Sequence, residues 1–441
     1  MEAEIAHRQK MVRRRCGAEP QRLVGSMHYL SDFKDCAGRP VNSRQIKEEK
    51  LRRLFDLLYA EGEMARADLA RATGLSPTTV SALVEELIRK NLVMEVGYAP
   101  AMQGGRRPIN LRINAQGRQI PAFTLHRGGV RFELYNLGME VLEAFDVRFG
   151  DAETACSGAG WAQMIAEILL RRSERFRPEI AAGVCICMPG LYRPDQSAFV
   201  LQPGGETLKI ETLEALERAL KLPIFLGNEM HCRTYLEAMH SGEAKPGDLI
   251  YVRVSGQVEA CMYVNGDVYT GKDNHAGQLG HISINYRGRP CACGGRGCLE
   301  RYVNIDAVWE RIAEAAAFKR CQTLENLTGG DMEKLTLEMI AEAYERDDPV
   351  VVEAIDDVAE QLFAGIYAVV SITGVGRVVL GGDIARLGAR FLERMQALAR
   401  QVNGNHLLQG IAISYSRLDS EPVSSGLVSY FIQKRFEIDR E

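Results

Sequence analysis

The sequence predicts a two-lobed α/β body behind a small, mostly helical head. Two patterns predict it. Beyond about residue 118, apolar strands alternate with amphipathic helices; before it, helical segments punctuated by glycines lead into a pair of strands. A third observation separates the two parts electrically. Residues 1–115 carry 20 Lys/Arg against 14 Asp/Glu, whereas the whole chain has 54 against 58 and a net charge of −4. A basic head on an acidic body points to a nucleic-acid-binding head.

The remaining composition narrows the class. A chain of 441 residues suits two or three domains, and 46% hydrophobic with 25% charged residues excludes a mostly disordered, collagen-like or coiled-coil protein. No run of 18 apolar residues occurs, and the first residues, MEAEIAHRQKMVRRR, are basic without the apolar core of a signal peptide. These features predict a cytoplasmic chain with no transmembrane helix. Eleven cysteines, an odd and mostly scattered set, argue against a disulfide framework.

The elements follow in order. Residues 1–40 hold no sustained period and include Gly17, Pro20, Gly38 and Pro40, so they read as a mobile arm or a misassigned start, with Met27 as the alternative. The head is placed at 41–115. Ile46, Leu51, Leu54, Leu57 and Leu58 make 43–61 an amphipathic helix that Gly62 stops. A second helix spans 66–72, and Thr73-Gly74-Leu75 is a tight turn. Ser76 as N-cap and Pro77 at the first helical position open a third helix, which runs through Val80, Leu83, Val84 and Leu87 to about Lys90. Strands at 92–96 and 109–113 flank a loop bearing Gly104-Gly105-Arg106-Arg107-Pro108.

The body is placed at 118–441. Strands are expected at 120–125, 130–136, 141–147, 182–188, 223–227, 248–254 and 377–380. Helices are expected at 158–175, 211–220, 229–241, 305–320, 335–372 and 384–402. Met188-Pro189-Gly190 reads as a turn. His231, His240 and His275 show no metal spacing, and Trp161 and Trp309 read as packing residues.

Three helices with a glycine turn before the third, followed by a hairpin, make a winged helix-turn-helix. The third helix begins with Ser76, Pro77, Thr78, Thr79 and Ser81. In this motif that end enters the major groove of double-stranded DNA, where hydroxyls can bond bases or phosphates. Arg106 and Arg107 on the hairpin tip are placed to reach phosphates or the minor groove.

Cys291, Cys293 and Cys298 stand within eight residues in a glycine-rich loop, with His281 ten residues upstream. Three thiolates and one imidazole complete a tetrahedral set that favours zinc. Four protein ligands leave no open position, so the predicted role is structural: holding Glu300 and its neighbours in place.

Taken together, the chain resembles the ROK family (repressors, open reading frames, kinases) over about residues 43–435. The run from Ala67 to Ser81 and the Gly104–Pro108 wing look like its regulator branch, and Ala276-Gly277-Gln278-Leu279-Gly280-His281 with CACGGRGCLE looks like its zinc and sugar signature. The resemblance implies a two-lobed sugar-kinase-like fold of the actin-like ATPase/ribonuclease H-like type. It further implies zinc on His281, Cys291, Cys293 and Cys298, and a homodimer or homotetramer. It places sugar-binding groups at Asn228, Glu229, Gln278, His281 and Glu300, where Gln278 replaces the usual acid.

The same resemblance tests the kinase alternative residue by residue. Where kinases of this type read Asp-x-Gly-Gly-Thr, this chain has Thr124-Leu125-His126-Arg127-Gly128. Where they read Gly-Thr-Gly-x-Gly, it has Ser255-Gly256-Gln257-Val258-Glu259, whose carboxylate repels phosphate. The general base of an Asn-Asp pair is here Glu229, and only Gly381-Gly382 keeps the later glycine pair. The sequence therefore predicts a DNA-binding regulator of carbohydrate-related genes. By family habit it is a repressor, with a catalytically inactive body that binds a sugar effector.

Overall fold

Apolar runs dictate the two sheets. The computed structural model describes residues 28–29, 43–98, 109–126, 128–148, 158–193, 198–201, 207–240, 247–272, 275–403, 410–436 and 438. Val184–Met188 and Ile224–Asn228 are buried along their whole length, as strands covered on both faces are. They pair in parallel, Ile224 opposite Val184 through Asn228 opposite Met188. Gln119–His126, Gly129–Asn136 and Val141–Arg148 complete this mixed sheet on one side. On the other, His28–Tyr29, inside the stretch read as an arm, form a two-residue strand parallel to Phe225–Leu226.

The second sheet has the order Asp267–Tyr269, Val258–Val264, Leu249–Val254, Arg377–Gly381 and Ala412–Tyr415. The helix Glu229–Met239 leaves the first sheet directly after Asn228 and leads to Leu249–Val254 in the second. The two expected lobes are thus two sheets joined through this helix. Trp161 and Trp309 both lie in apolar clusters, as expected.

Several boundaries differ from expectation for identifiable reasons. Met188-Pro189-Gly190 does not end the strand in a turn. The chain resumes at once as Gly190–Arg193, which pairs with Ala198–Leu201 in a small antiparallel sheet. The helix expected at 158–175 is Gly158–Glu167 with a π-helical last turn, Ile168–Arg172. The span 335–372 is two helices, Leu337–Glu345 and Pro349–Thr373. Asp348 breaks it by accepting hydrogen bonds from Val350 N (3.2 Å) and Val351 N (3.4 Å), and Pro349 takes the position that needs no N–H. The hairpin Val258–Val264 with Asp267–Tyr269 turns on Asn265-Gly266, both left-handed (φ 55° and 85°).

In the head, the buried stripe of Ser43–Glu61 is Leu51, Leu54, Phe55 and Leu58, whereas Ile46, expected on it, is 41% exposed. This stripe does not stop at the head. Leu51, Leu54, Phe55 and Leu58 share one apolar cluster with Tyr235, Leu427, Phe431, Ile432 and Phe436 of the body. Arg52 secures the joint, donating to Ile432 O (2.7 Å) and Phe436 O (3.0 Å) while its Nε pairs with Asp56 (2.8 Å). The rings of Phe55 and Phe436 lie 5.5 Å apart.

Candidate DNA-contacting helix, metal centre and ligand cleft

The third helix of the head is Pro77–Arg89. Gly74, left-handed at φ 70°, ends the preceding helix Arg66–Thr73, and Ser76 caps the next by accepting from Thr79 N at 3.2 Å. Val80, Leu83, Val84 and Leu87 are buried on one face; Ser76, Pro77 and Thr78 are exposed, and Thr79 and Ser81 half-buried. The Ser76 hydroxyl also lies 2.9 Å and 2.8 Å from those of Thr78 and Thr79, so the short polar groups form one exposed cluster at the helix start. Val93–Tyr98 and Ile109–Ile113 pair antiparallel as the wing's strands, and Met64–Ala65 adds a third. Arg106 and Arg107, expected at the tip, lie outside the described residues.

The loop after His281 gathers the four expected metal ligands. One ligand atom from each of His281, Cys291, Cys293 and Cys298 lies within 4.8 Å of the others. Cys293 and Cys298 sulfurs are 3.6 Å apart, and Cys291 Sγ is 3.7 Å from His281 Nδ1. Four ligands about 2.3 Å from a central zinc ion lie about 3.8 Å from one another, so the set fits a tetrahedral ion. Tight turns make this possible: Gly297 is left-handed (φ 67°), and a Cβ there would sit 1.6 Å from Asn285 O. Burial pushes the Cys298 thiol up to about 12, while the Gly295 N–H lowers that of Cys293. A dication would hold all three as thiolates. Glu300 Oε1 stands 3.2 Å from Cys291 Sγ and 3.5 Å from His281 Nδ1, which ties the loop to the adjacent cleft.

That cleft is a cavity of about 240 Å³. All five residues expected on the sugar side, Asn228, Glu229, Gln278, His281 and Glu300, line it. Asn228 is largely committed to the main chain: it donates to Gly190 O (2.8 Å) and accepts from Met230 N (2.8 Å), capping the helix that begins with Glu229. His231 also borders the cavity, and burial lowers its pKa to about 4.

The structure adds a residue that the sequence did not single out. Arg253 bridges the cleft, with Nη1 2.8 Å from Glu229 and Nη2 2.5 Å from Glu259. Burial opposes its charge, but the two carboxylates outweigh that and hold its proton above the usual range. A charged side chain in the otherwise apolar run LIYVRV was the available signal.

The remains of the nucleotide side have other partners. Gly382 N donates to Asp419 (2.8 Å), Tyr251 OH donates to Asp419 (2.8 Å), and a Cβ on Gly381 would lie 2.3 Å from Tyr251 OH. The glycine pair is therefore required by local packing. Thr124–His126 run as plain strand opposite Gly129–Arg131, and Arg127 lies outside the described residues. His240 bonds Leu236 O through Nδ1 (3.0 Å), away from any metal cluster among the described residues.

The ROK family model matches residues 153–420, and a winged helix-turn-helix DNA-binding model matches residues 47–94. The xylose repressor of Caldicellulosiruptor bescii is 25% identical over 377 residues, covering 84% of this chain and 92% of that one. The DNA-binding transcriptional dual regulator NagC of Escherichia coli is 24% identical over 339 residues, 77% of this chain and 81% of its own. A solved ROK family transcriptional regulator, described as a homologue of the E. coli MLC protein, aligns with a TM-score of 0.74 at 23% identity, covering 89% and 97% of the two chains. A ROK family glucokinase from Streptomyces griseus, solved with glucose and AMPPNP, aligns at 0.55 and 19% identity, covering 70% and 98%. At these identities the two structures share the fold. No helix among the described residues is long and apolar enough to cross a membrane.

Proposed function

This chain belongs to the ROK family and carries a winged helix-turn-helix DNA-binding head, and from that premise we propose that it represses carbohydrate-related genes under the control of a sugar bound in its body. The repressors it resembles are named for xylose and N-acetylglucosamine, which supports a sugar as effector. The head, 41–115, binds an operator half-site through Ser76, Pro77, Thr78, Thr79 and Ser81, with Arg106 and Arg107 on the flanking backbone. The body, 118–441, pairs two copies so that two heads meet a pseudo-palindrome in cytoplasmic DNA. Zinc on His281, Cys291, Cys293 and Cys298 braces the cleft and takes no part in chemistry. The body performs no phosphoryl transfer, because Glu259 stands where a phosphate loop needs glycine and the glycine pair Gly381-Gly382 is engaged by Tyr251 and Asp419.

One observation carries the control step: the head's first helix shares an apolar cluster with the body, so a change in the body has a physical route to the head. A sugar acts only by binding the two head arrangements with different affinity. The test is selection of an operator from random duplexes, followed by anisotropy titration with and without sugars. A neutral sugar that changes operator affinity at least about fivefold, the lower range of typical couplings, supports the reading. Sugar-dependent formation of ADP from ATP would return the chain to the kinase branch.

A further inference from the structure

Among the described residues, the cleft has two devices that commonly hold a phosphate, a guanidinium and a helix N-terminus, and both are occupied. The first is Arg253. It stands on Leu249–Val254 directly opposite Glu259 of Val258–Val264, and it also reaches Glu229, the first residue of the helix that follows a strand of the other sheet. Both terminal nitrogens of its guanidinium face carboxylates, at 2.8 Å and 2.5 Å. Those are the nitrogens a phosphate would grip in a two-point contact. The second device is the N-terminus of Glu229–Met239. Asn228 already satisfies Met230 N, and Glu229 places its own negative charge at that end.

Among the described residues lining the cavity, the carboxylates of Glu229, Glu259 and Glu300 outnumber the single guanidinium. A ligand bearing only hydroxyls suits this lining, because each hydroxyl both donates and accepts, and Gln278 and the carboxylates can answer it. The volume, about 240 Å³, is below the roughly 300–1,000 Å³ of sites for drug-sized ligands, a space for one small ring.

Resting on the reading that this cleft binds a sugar, we propose that it takes a single uncharged monosaccharide and rejects phosphorylated sugars, and that Arg253 sets this selectivity because Glu229 and Glu259 hold its guanidinium. The Arg253–Glu229 pair also links the second sheet to the helix that follows Ile224–Asn228 of the first, so the ligand binds beside a bridge between the lobes.

The experiment is a thermal-shift and calorimetric titration of the full chain with D-xylose, D-glucose, N-acetylglucosamine, glucose 6-phosphate and N-acetylglucosamine 6-phosphate, on wild type and Glu259→Gln. The expected result is stabilisation by a neutral sugar. Phosphorylated sugars should bind the wild type at least about tenfold more weakly, a gap of about 1.4 kcal/mol. Glu259→Gln releases one side of Arg253 and should narrow the gap severalfold. A phosphorylated sugar that binds the wild type as tightly as the best neutral one overturns the proposal, and this comparison needs no variant. A gap unchanged in a folded Glu259→Gln protein removes Arg253 as its cause. Binding of none of the five removes the sugar reading of the cleft itself, a distinct result.

Discussion

Arg52, on the first helix of the head, donates a hydrogen bond to the main-chain carbonyl of Phe436 at 3.0 Å, across 384 positions of sequence. A second bond, to Ile432 O, makes the guanidinium a two-pronged clamp on the turn Phe431–Arg435 and the residue that caps it. Hydrogen bonds to charged groups contribute about 1.5–3 kcal/mol each, and leaving two carbonyls without donors adds to the loss. Arg52→Ala should therefore lower the stability of the full chain by about 3 kcal/mol or more, read as a lower denaturant midpoint. Arg52→Lys should recover only part of it, since one ammonium cannot reproduce the planar fork.

Ser76 has two separable roles. Ser76→Ala removes the cap and should cost the head about 1 kcal/mol. Ser76→Asp keeps a capping oxygen and favours the helix dipole, yet places a negative charge where DNA phosphates approach. The aspartate variant should match wild type in thermal melting and lose operator affinity. If both variants bind DNA like wild type, Pro77–Arg89 is not the recognition helix.

The wing makes a different prediction. Arg106→Ala should weaken specific and non-specific DNA binding together and reduce the slope of log affinity against log salt by about 1. Thr79→Ala should instead weaken specific binding more, leaving the slope unchanged. A salt titration of both variants distinguishes the roles.

Cys293→Ser removes one of the four ligands gathered within 4.8 Å. Metal analysis should fall from about one zinc per chain to near none, in line with coupled metal binding and folding. The body should melt earlier, and strong chelators should reproduce the effect on wild type. Full zinc content in the variant would exclude this residue as a ligand.

His231 ties stability to pH. Its folded pKa, about 4, lies below the ordinary value of 6.5, so the unfolded chain binds the proton more tightly. Its contribution is present above about pH 6.5 and is lost as pH falls from there toward 4. By then the loss amounts to about 3 kcal/mol, at about 1.36 kcal/mol per unit. His231→Gln should flatten the stability profile over that window, measured by denaturant midpoints at each pH.

The head was legible because its signals are local. Ser76-Pro77 opens a helix and Gly74 closes one wherever they stand in a fold, and the two strands of the wing follow directly. The cysteine spacing was legible for the same reason. Arg253 was not, because its meaning depends on Glu229 reaching it from the helix that follows the other sheet's strand, a partnership without any local pattern. The docking of Ser43–Glu61 on Phe431 and Phe436 was hidden likewise, although the apolar stripe that makes it was visible. Other omissions had readable cues: Asn265-Gly266 announces a hairpin, and Asp348-Pro349 announces a helix start.

The clamp between Arg52 and the carbonyls of Ile432 and Phe436 also bears on synthesis. The head leaves the ribosome first, and its turns and caps let the three helices form early. The face of Ser43–Glu61 that carries Arg52 and Phe55 must then wait, uncovered, until Phe431–Phe436 emerge hundreds of residues later. Closure over so long a separation is slow. A prematurely terminated product lacking Phe431–Phe436 would leave that face without its cover.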